Sequence, residues 1–176
     1  RSRPLEEILR HARALIDAGC PEIILTGITI GGYRSDGADL AAVMESLVRL
    51  GGSCRFRVTS IEPRDVTERL VDVMSDSRVC AHLHLPLQSG SDRILRLMNR
   101  PYAMGEYRDK VEMIRKGLPG IAIGTDIIVG FPSETEEDFA ESLAAVSGFG
   151  YSYVHQFSFS PRAGTPASRM DGVVAP

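Results

Sequence analysis

The chain has 176 residues, of which 43% are hydrophobic and 24% are charged, a composition that is typical of folded globular proteins and excludes a disordered chain. Its 20 basic and 23 acidic residues give a net charge of -3, so it lacks the basic excess of a module that binds nucleic acid by itself. No apolar run approaches the roughly 18 residues that a membrane-spanning helix requires. We therefore expect no membrane partner.

Short β-branched or aromatic runs bounded by Gly or Pro predict the β-strands of this chain. In chain order they cover residues 22–26, 55–60, 82–85, 121–129 and 153–157. Hydrophobic residues at three- and four-residue spacing predict helices in the intervals and one helix before the first strand. The motifs Asp65-Val66-Thr67-Glu68 and Thr135-Glu136-Glu137-Asp138 predict two helix starts, each with a capping side chain three residues before an acid.

The strands recur about every 30 residues, which is the size of one βαβ unit. Such alternation predicts an α/β fold with a parallel sheet covered by helices. Because the sequence opens on a helix, we expect a partial (β/α) TIM-like barrel that lacks its first strand; a doubly wound open sheet remains the alternative, since periodicity does not separate the two. The expected organisation is one core domain over residues 1–170 with a tail or linker over 171–176.

The three cysteines, Cys20, Cys54 and Cys80, are odd in number and far apart. This spacing argues against a disulfide scaffold and favours a reducing compartment, so we expect a cytoplasmic protein. No two of them have the spacing of zinc ligands. We expect three buried or partly buried thiols and assign no metal site.

Ligands of parallel α/β folds bind at the carboxyl ends of the strands, and polar residues follow three strands here, the second of them through Ser60 and Glu62. Gly-rich sequence from Thr26 to Tyr33 follows the first strand, where either a ligand contact or an ordinary turn fits. Gln88 and Ser89 follow the third strand and offer neutral donors and acceptors. Ser91 or Asp92, slightly further on, is expected to cap the next helix.

Two strands carry unusual titratable side chains. His82 and His84 alternate along the third strand, so both rings point to the same face. We expect them to pack with satisfied hydrogen bonds, because two histidines are too few for a metal site. Asp126 interrupts an apolar strand, where a carboxylate is costly unless it is paired or used. For Asp126, two interpretations remain open: a functional role, and an ion pair with a structural partner such as an Arg.

Read together, the strand-end segments resemble the radical S-adenosylmethionine (SAM) methylthiotransferase family. The matching segments are residues 1–4, 25–28, 83–92 (LHLPLQSGSD), 125–139 (TDIIVGFPSETEEDF) and 157–167. Residues 26–28, 60–63 and 118–120 favour the branch that acts on threonylcarbamoyladenosine in tRNA. The ribosomal-protein and isopentenyladenosine branches share the longer motifs.

The resemblance implies an open six-strand barrel in which a [4Fe-4S] cluster on a CxxxCxxC loop binds SAM. It implies a 5′-deoxyadenosyl radical, an electron donor for the cluster, and methylthiolation of C2 of N6-threonylcarbamoyladenosine next to the tRNA anticodon. A second [4Fe-4S] cluster and a C-terminal RNA-binding domain usually accompany such a core. This sequence contains no CxxxCxxC. We therefore expect the cluster ligands and most tRNA contacts to lie outside it, and the chain alone to be inactive.

The resemblance also implies cofactor-binding residues by matching position, and it assigns no catalytic residue. Thr26 and Gly27 are implied near the SAM amino group, and Ser60 and Glu62 near the methionyl end or the substrate. The implied methionyl or ribose contacts are Gln88, Ser89 and Asp126, and those flanking the adenine are Val129, Gly130 and Phe157. Two alternatives stay open: the same core acting on a ribosomal protein, and a barrel remnant that serves only as a binding module.

Overall fold

The computed structural model of the protein describes residues 2–174. Its helices and strands alternate along the chain, except that two helices separate β3 from β4. They are α1 (Leu5–Asp17), β1 (Glu22–Leu25), α2 (Leu40–Arg49), β2 (Arg55–Val58), α3 (Glu68–Met74), β3 (His82–His84), α4 (Asp92–Leu97), α5 (Met104–Gly117), β4 (Ala122–Val129), α6 (Glu136–Phe149) and β5 (Tyr153–Ser158). Every predicted strand is present, so the sequence pattern is confirmed. Within the described range, no helix has the length and hydropathy that crossing a bilayer needs.

The chain folds into two compact units. Unit 1 comprises residues 1–84 and 112–122, and unit 2 comprises residues 85–111 and 123–176. Whether residues 1–170 act as one domain with a tail over 171–176 stays a prediction. Two residues of that predicted tail are tied down within unit 2: Ser133 N donates to Gly172 O at 2.7 Å, and Ser133 Oγ donates to Asp171 O at 2.9 Å.

In unit 1, β1 and β2 pair in parallel, from Glu22 opposite Arg55 to Leu25 opposite Val58. The chain just beyond β2 continues this sheet through a parallel bridge between Ser60 and His84 at the end of β3. Phe56 and Val58 are completely buried, whereas Arg55 and Arg57 alternate with them. One face of β2 therefore belongs to the core, and the other carries polar side chains.

In unit 2, β4 and β5 pair in parallel, from Gly124 opposite Tyr153 to Val129 opposite Ser158. Residues 85–88 lie along the other side of β4, since Leu85 N donates to Gly124 O at 2.9 Å and Gln88 N to Asp126 O at 2.8 Å. The parallel arrangement that the βαβ spacing predicts is thus found in both units.

The helix starts follow local capping chemistry, with two differences from the sequence expectation. Thr135 and Asp138 form the predicted capping box of α6. At α3 the cap is Thr67, whose side chain accepts from Leu70 N, so the prediction of Asp65 as cap is wrong. Asp65 instead closes the preceding 3-10 turn, Pro63–Asp65. Ser91 occupies the position before α4, but its side chain makes no capping bond.

Candidate functional site

The strand ends of unit 1 bring four of the predicted cofactor residues onto neighbouring loops. Thr59 N and Oγ1 both donate to Leu25 O, at 3.2 and 3.0 Å. These bonds tie the ends of β1 and β2 together and place exposed Thr26 and Gly27 beside the segment that leads to Ser60. Glu62 is half-buried and precedes the turn Pro63–Asp65. These loops form a polar edge of the sheet, where backbone and hydroxyl groups can bind a zwitterion.

The two histidines of β3 share the polar face of unit 1, as their alternation predicts. His84 Nδ1 lies 2.8 Å from Ser60 Oγ, so this predicted site residue and the imidazole form one hydrogen-bonded pair. Burial is the main cause that lowers the pKa of His82, and the neighbouring Arg57 guanidinium acts in the same direction. His82 is therefore kept neutral over a wider pH range than a free histidine.

An ion pair occupies the same polar face. Arg57 donates to Glu22 through two nitrogens, at 2.7 and 3.1 Å. This pairing, helped by a hydrogen bond from the Cys80 thiol, lowers the pKa of Glu22 to about 2. A bidentate Arg–carboxylate pair fixes both side chains in one geometry. The polar face of unit 1 therefore carries an ion pair whose two side chains are held in a fixed orientation.

In unit 2, Gln88 and Ser89 have well-defined but different surroundings. Gln88 has a positive φ of 75°, and Ile128 N donates to its carbonyl at 2.8 Å. Ser89 is fully buried. Its hydroxyl lies 3.3 Å from Ser142 Oγ on α6 and accepts from Ser91 N. The structure thus directs the Ser89 side chain toward α6, and its predicted contact with SAM stays a prediction.

Asp126, Val129 and Phe157 do not all share one face of the β4–β5 pair. The half-buried Asp126 and the 51% exposed Phe157 lie on the same face, given their register and alternation. Val129 points the other way and lines an apolar pocket with Phe139 and Leu143 of α6. Only the backbone of Val129 is therefore placed to join Phe157 around a common ligand.

The loop after β4 is organised by a residue that the sequence analysis missed. Gly130 has a φ of 71°, which glycine adopts without strain. Its N–H donates to Glu134 Oε2 at 2.5 Å, and Glu134 N donates in turn to Phe131 O at 2.9 Å. Burial raises the pKa of the Glu134 carboxyl. The sequence signal that could have identified Glu134 is an acidic residue four positions after a glycine at the end of a strand.

Two substitutions of Glu134 distinguish the effect of its charge on stability from the effect of its hydrogen bond to Gly130 N. Because the folded-state pKa is raised, the carboxylate costs stability as pH rises above the unfolded-state pKa of about 4.3. We expect Glu134→Gln to melt at the same or a higher temperature than wild type at pH 7, with the difference vanishing at pH 4. Glu134→Ala, which leaves Gly130 N without its acceptor, should lose about 1–3 kcal/mol at both pH values.

Thermal melting at pH 4 and 7 measures both changes. A Gln variant that is less stable than wild type only at pH 7 would show that the charge itself stabilises the loop.

A buried carboxylate network joins α4 to the start of α6. Ser91 Oγ donates to Asp138 Oδ1 at 2.6 Å, which explains why Ser91 does not cap α4. The Arg93 guanidinium binds the same carboxylate, and its Nη2 also donates to Ser133 O at 2.6 Å. Arg93 is the first cause of the lowered pKa of Asp138, whose side chain is only 7% exposed. This network holds the loop that carries Gly130 and Glu134.

Two of the three cysteines, Cys54 and Cys80, are buried, whereas Cys20 is half-buried; the two buried thiols do not suit an iron–sulfur cluster, which needs thiolate ligands. Cys80 Sγ donates to Glu22 Oε2 at 3.2 Å, and Cys54 Sγ donates to Arg55 O at 3.5 Å. Burial is the main cause that raises the pKa of both thiols. Buried, hydrogen-bonded thiols resist the deprotonation that iron ligation requires. The loop after β1, by contrast, leaves Thr26 and Gly27 exposed to solvent.

Comparison with known proteins gives one family match and relatives that align with almost the whole chain. The sequence profile described as the radical SAM superfamily matches residues 1–146. The threonylcarbamoyladenosine tRNA methylthiotransferase MtaB of Bacillus subtilis is 43% identical over 99% of this chain. The tRNA-2-methylthio-N(6)-dimethylallyladenosine synthase of Thermodesulfovibrio yellowstonii is 39% identical, also over 99% of it. The chain spans 40% and 41% of these two relatives.

Solved structures show the same fold at low sequence identity. Coproporphyrinogen III oxidase (HemN) of Escherichia coli, described as a radical SAM enzyme, superposes with a TM-score of 0.68 at 16% identity, over 97% of this chain and 42% of that one. Methylornithine synthase (PylB) gives 0.65 at 16% identity, over 95% and 47%. These similarities confirm the α/β fold of radical SAM enzymes and agree with the expected partial TIM-like barrel.

Proposed function

Because the chain belongs to the radical SAM superfamily, we propose that it forms the core of a methylthiotransferase that modifies C2 of N6-threonylcarbamoyladenosine in tRNA. One observation carries this proposal: two relatives named threonylcarbamoyladenosine tRNA methylthiotransferase are 43% and 42% identical to this chain, each over 99% of it. The match to a dimethylallyladenosine enzyme supports a second candidate, the same reaction on dimethylallyladenosine.

In this proposal, the bound cofactors would supply a 5′-deoxyadenosyl radical, formed with methionine when one electron from a reduced iron–sulfur cluster cleaves SAM. The chain's own residues bind and orient SAM. Thr26 and Gly27, both exposed at the end of β1, face the methionyl amino group. The open backbone at Gly130, held in place by Glu134, leaves room for the adenine ring. In the same proposal, the cluster ligands and most of the tRNA surface belong to parts of the parent enzyme outside these 176 residues, and a separate electron donor reduces the cluster.

The cysteine chemistry leads to an expected result for the chain by itself. We expect anaerobic reconstitution of the 176-residue chain with iron and sulfide to leave no stoichiometric iron, because two of its three thiols, those of Cys54 and Cys80, are buried and hydrogen-bonded. Iron and sulfide assays with ultraviolet–visible spectroscopy measure this, with the Cys54→Ala and Cys80→Ala variants as controls. A cluster spectrum that either substitution abolishes would contradict the expectation.

The target nucleoside is tested by deleting the gene and analysing total tRNA nucleosides by liquid chromatography and mass spectrometry. We expect 2-methylthio-N6-threonylcarbamoyladenosine to disappear and its precursor to accumulate, with restoration by the wild-type gene. Loss of the 2-methylthio dimethylallyl nucleoside instead would establish the second candidate. Unchanged amounts of both would exclude a tRNA methylthiotransferase.

A further inference from the structure

The loop between β4 and α6 in unit 2 contains a serine in an unusual backbone conformation. Ser133 has a φ of 69°, in the left-handed region that residues with a Cβ rarely adopt and keep only where the surroundings hold them. Gly130, three residues earlier, also has a positive φ, of 71°. The loop therefore keeps this shape only while other parts of the chain hold Ser133 in place.

Three hydrogen bonds from distant residues hold Ser133. Its N–H donates to Gly172 O at 2.7 Å, and its hydroxyl donates to Asp171 O at 2.9 Å. Its carbonyl accepts from Arg93 Nη2 at 2.6 Å. Two of the three partners are thus backbone carbonyls of one segment, residues 171–174, which follows β5 in the chain.

Segment 171–174 also packs closely against the loop. Gly172 has a φ of 77°, and a Cβ at this position would lie 2.8 Å from Ser133 Oγ and 3.1 Å from Ser133 Cα. Val174 lies beside Gly130, where an added Cβ would be 3.9 Å from the Val174 Cβ. Glycine at position 172 therefore serves both the backbone conformation and the close approach to Ser133.

The conformation of Ser133 bears directly on the strand end at Gly130. Glu134 follows Ser133 in the chain, and its carboxylate accepts from Gly130 N at 2.5 Å. If Ser133 returned to a negative φ, the backbone on either side of it would rotate, and the Glu134 carboxylate would move relative to Gly130 N. Segment 171–174 therefore acts on Gly130 through Ser133 and Glu134 as well as through Val174.

We propose that Asp171 and Gly172 are positioning residues of the cofactor site: through Ser133 they hold the β4–α6 loop in the shape that receives the adenine of SAM. This inference rests on the proposed function, in which the adenine lies at Gly130. A loop that already has its binding shape loses less conformational freedom when the ligand binds. Once segment 171–174 is released, only a fraction of the molecules has the competent loop, and the apparent Kd rises by the inverse of that fraction.

The test uses the full-length protein that contains this chain, with S-adenosylhomocysteine as the probe and isothermal titration calorimetry as the measurement. We expect Gly172→Ala to weaken binding about tenfold, which corresponds to a competent loop in about one molecule in ten. Gly164→Ala is the matched control, because Gly164 has a similar φ of 86° but nothing within 4 Å of an added Cβ. It should change the affinity less than about twofold.

Ser133→Ala is a second variant, which adds no atom and removes only the hydroxyl that bonds Asp171 O. Since a steric clash cannot unfold this variant, it tests the contact with segment 171–174 by itself. We expect it to weaken S-adenosylhomocysteine binding about threefold, as the loss of one hydrogen bond does.

Hydrogen exchange followed by mass spectrometry gives a local readout that a general loss of stability would not produce. The amides of residues 130–134 should exchange faster in Gly172→Ala than in wild type or Gly164→Ala. In wild type, S-adenosylhomocysteine should slow exchange in residues 171–174, because the coupling between two sites is reciprocal.

An affinity that is unchanged in Gly172→Ala, or equally weakened in Gly172→Ala and Gly164→Ala, would overturn the inference. Exchange in residues 171–174 that does not respond to S-adenosylhomocysteine would overturn it as well. None of these results alters the nucleoside analysis of the deletion strain, so failure here is distinguishable from failure of the proposed function.

Discussion

Replacing Asp138 with Asn is expected to destabilise the protein by about 2–4 kcal/mol. The loss of one partner from a buried ion pair costs about 3–5 kcal/mol, and we expect somewhat less because the Arg93 side chain is 44% exposed. The amide also weakens the capping box, because Asp138 Oδ2 accepts from Thr135 N at 2.9 Å. Urea unfolding at pH 7 measures the change.

The pH dependence of this effect has a definite sign. The pKa of Asp138 is lowered in the folded state, chiefly by Arg93. Its contribution is therefore complete above the unfolded-state pKa of about 3.9 and is lost as pH falls through the depressed folded-state value. The difference between wild type and Asp138→Asn should shrink only in strong acid.

Glu137→Gln is the matched control, since this exposed acid on the same turn interacts with the Thr135 cap but not with Arg93. We expect it to change the unfolding free energy by less than about 0.5 kcal/mol. Equal effects at positions 137 and 138 would mean that general charge at the helix start, rather than the buried pair, supplies the stability. A double-mutant cycle with Arg93→Ala gives the coupling directly.

Gly90→Ala is expected to be as damaging, for a steric reason. A Cβ at this position would lie 2.5 Å from Glu141 O and 2.6 Å from Ser142 Cα. Both atoms belong to the backbone of α6, so the helix itself must move. Such overpacking costs about 1–3 kcal/mol, and more where the obstacle is rigid. We expect about 3 kcal/mol, measured by urea unfolding at pH 7.

The shift of α6 should also stretch the 2.9 Å bond from Gly90 N to Ser142 Oγ. Gly148→Ala, in the same helix, has nothing within 4 Å of the added Cβ and should stabilise the protein by up to about 1 kcal/mol. If both substitutions were neutral, α6 would pack less closely against the segment of Gly90 than the structure shows.

The strands and the parallel arrangement could be predicted from sequence because their causes are local. Each strand is a short run bounded by Gly or Pro, and the spacing of about 30 residues leaves room for one crossover helix. The capping box of α6 is equally local, since Thr135 and Asp138 are three residues apart. The same reasoning failed at α3 because Asp65 and Thr67 are both good caps, and the turn at Pro63 decided between them.

Tertiary structure alone decided which polar residues meet. Asp138 binds Ser91 and Arg93, 47 and 45 residues away, and the placement of two helices sets that contact. Whether Asp126 faces His155 or a neighbour depends on the strand register, in which a shift of one residue turns every side chain to the other face. Helical and strand periodicities describe one element at a time. The fold class and the list of candidate residues therefore follow from the sequence, whereas the pairing of His155 with Asp126 and the role of Glu134 exist only once the elements have packed.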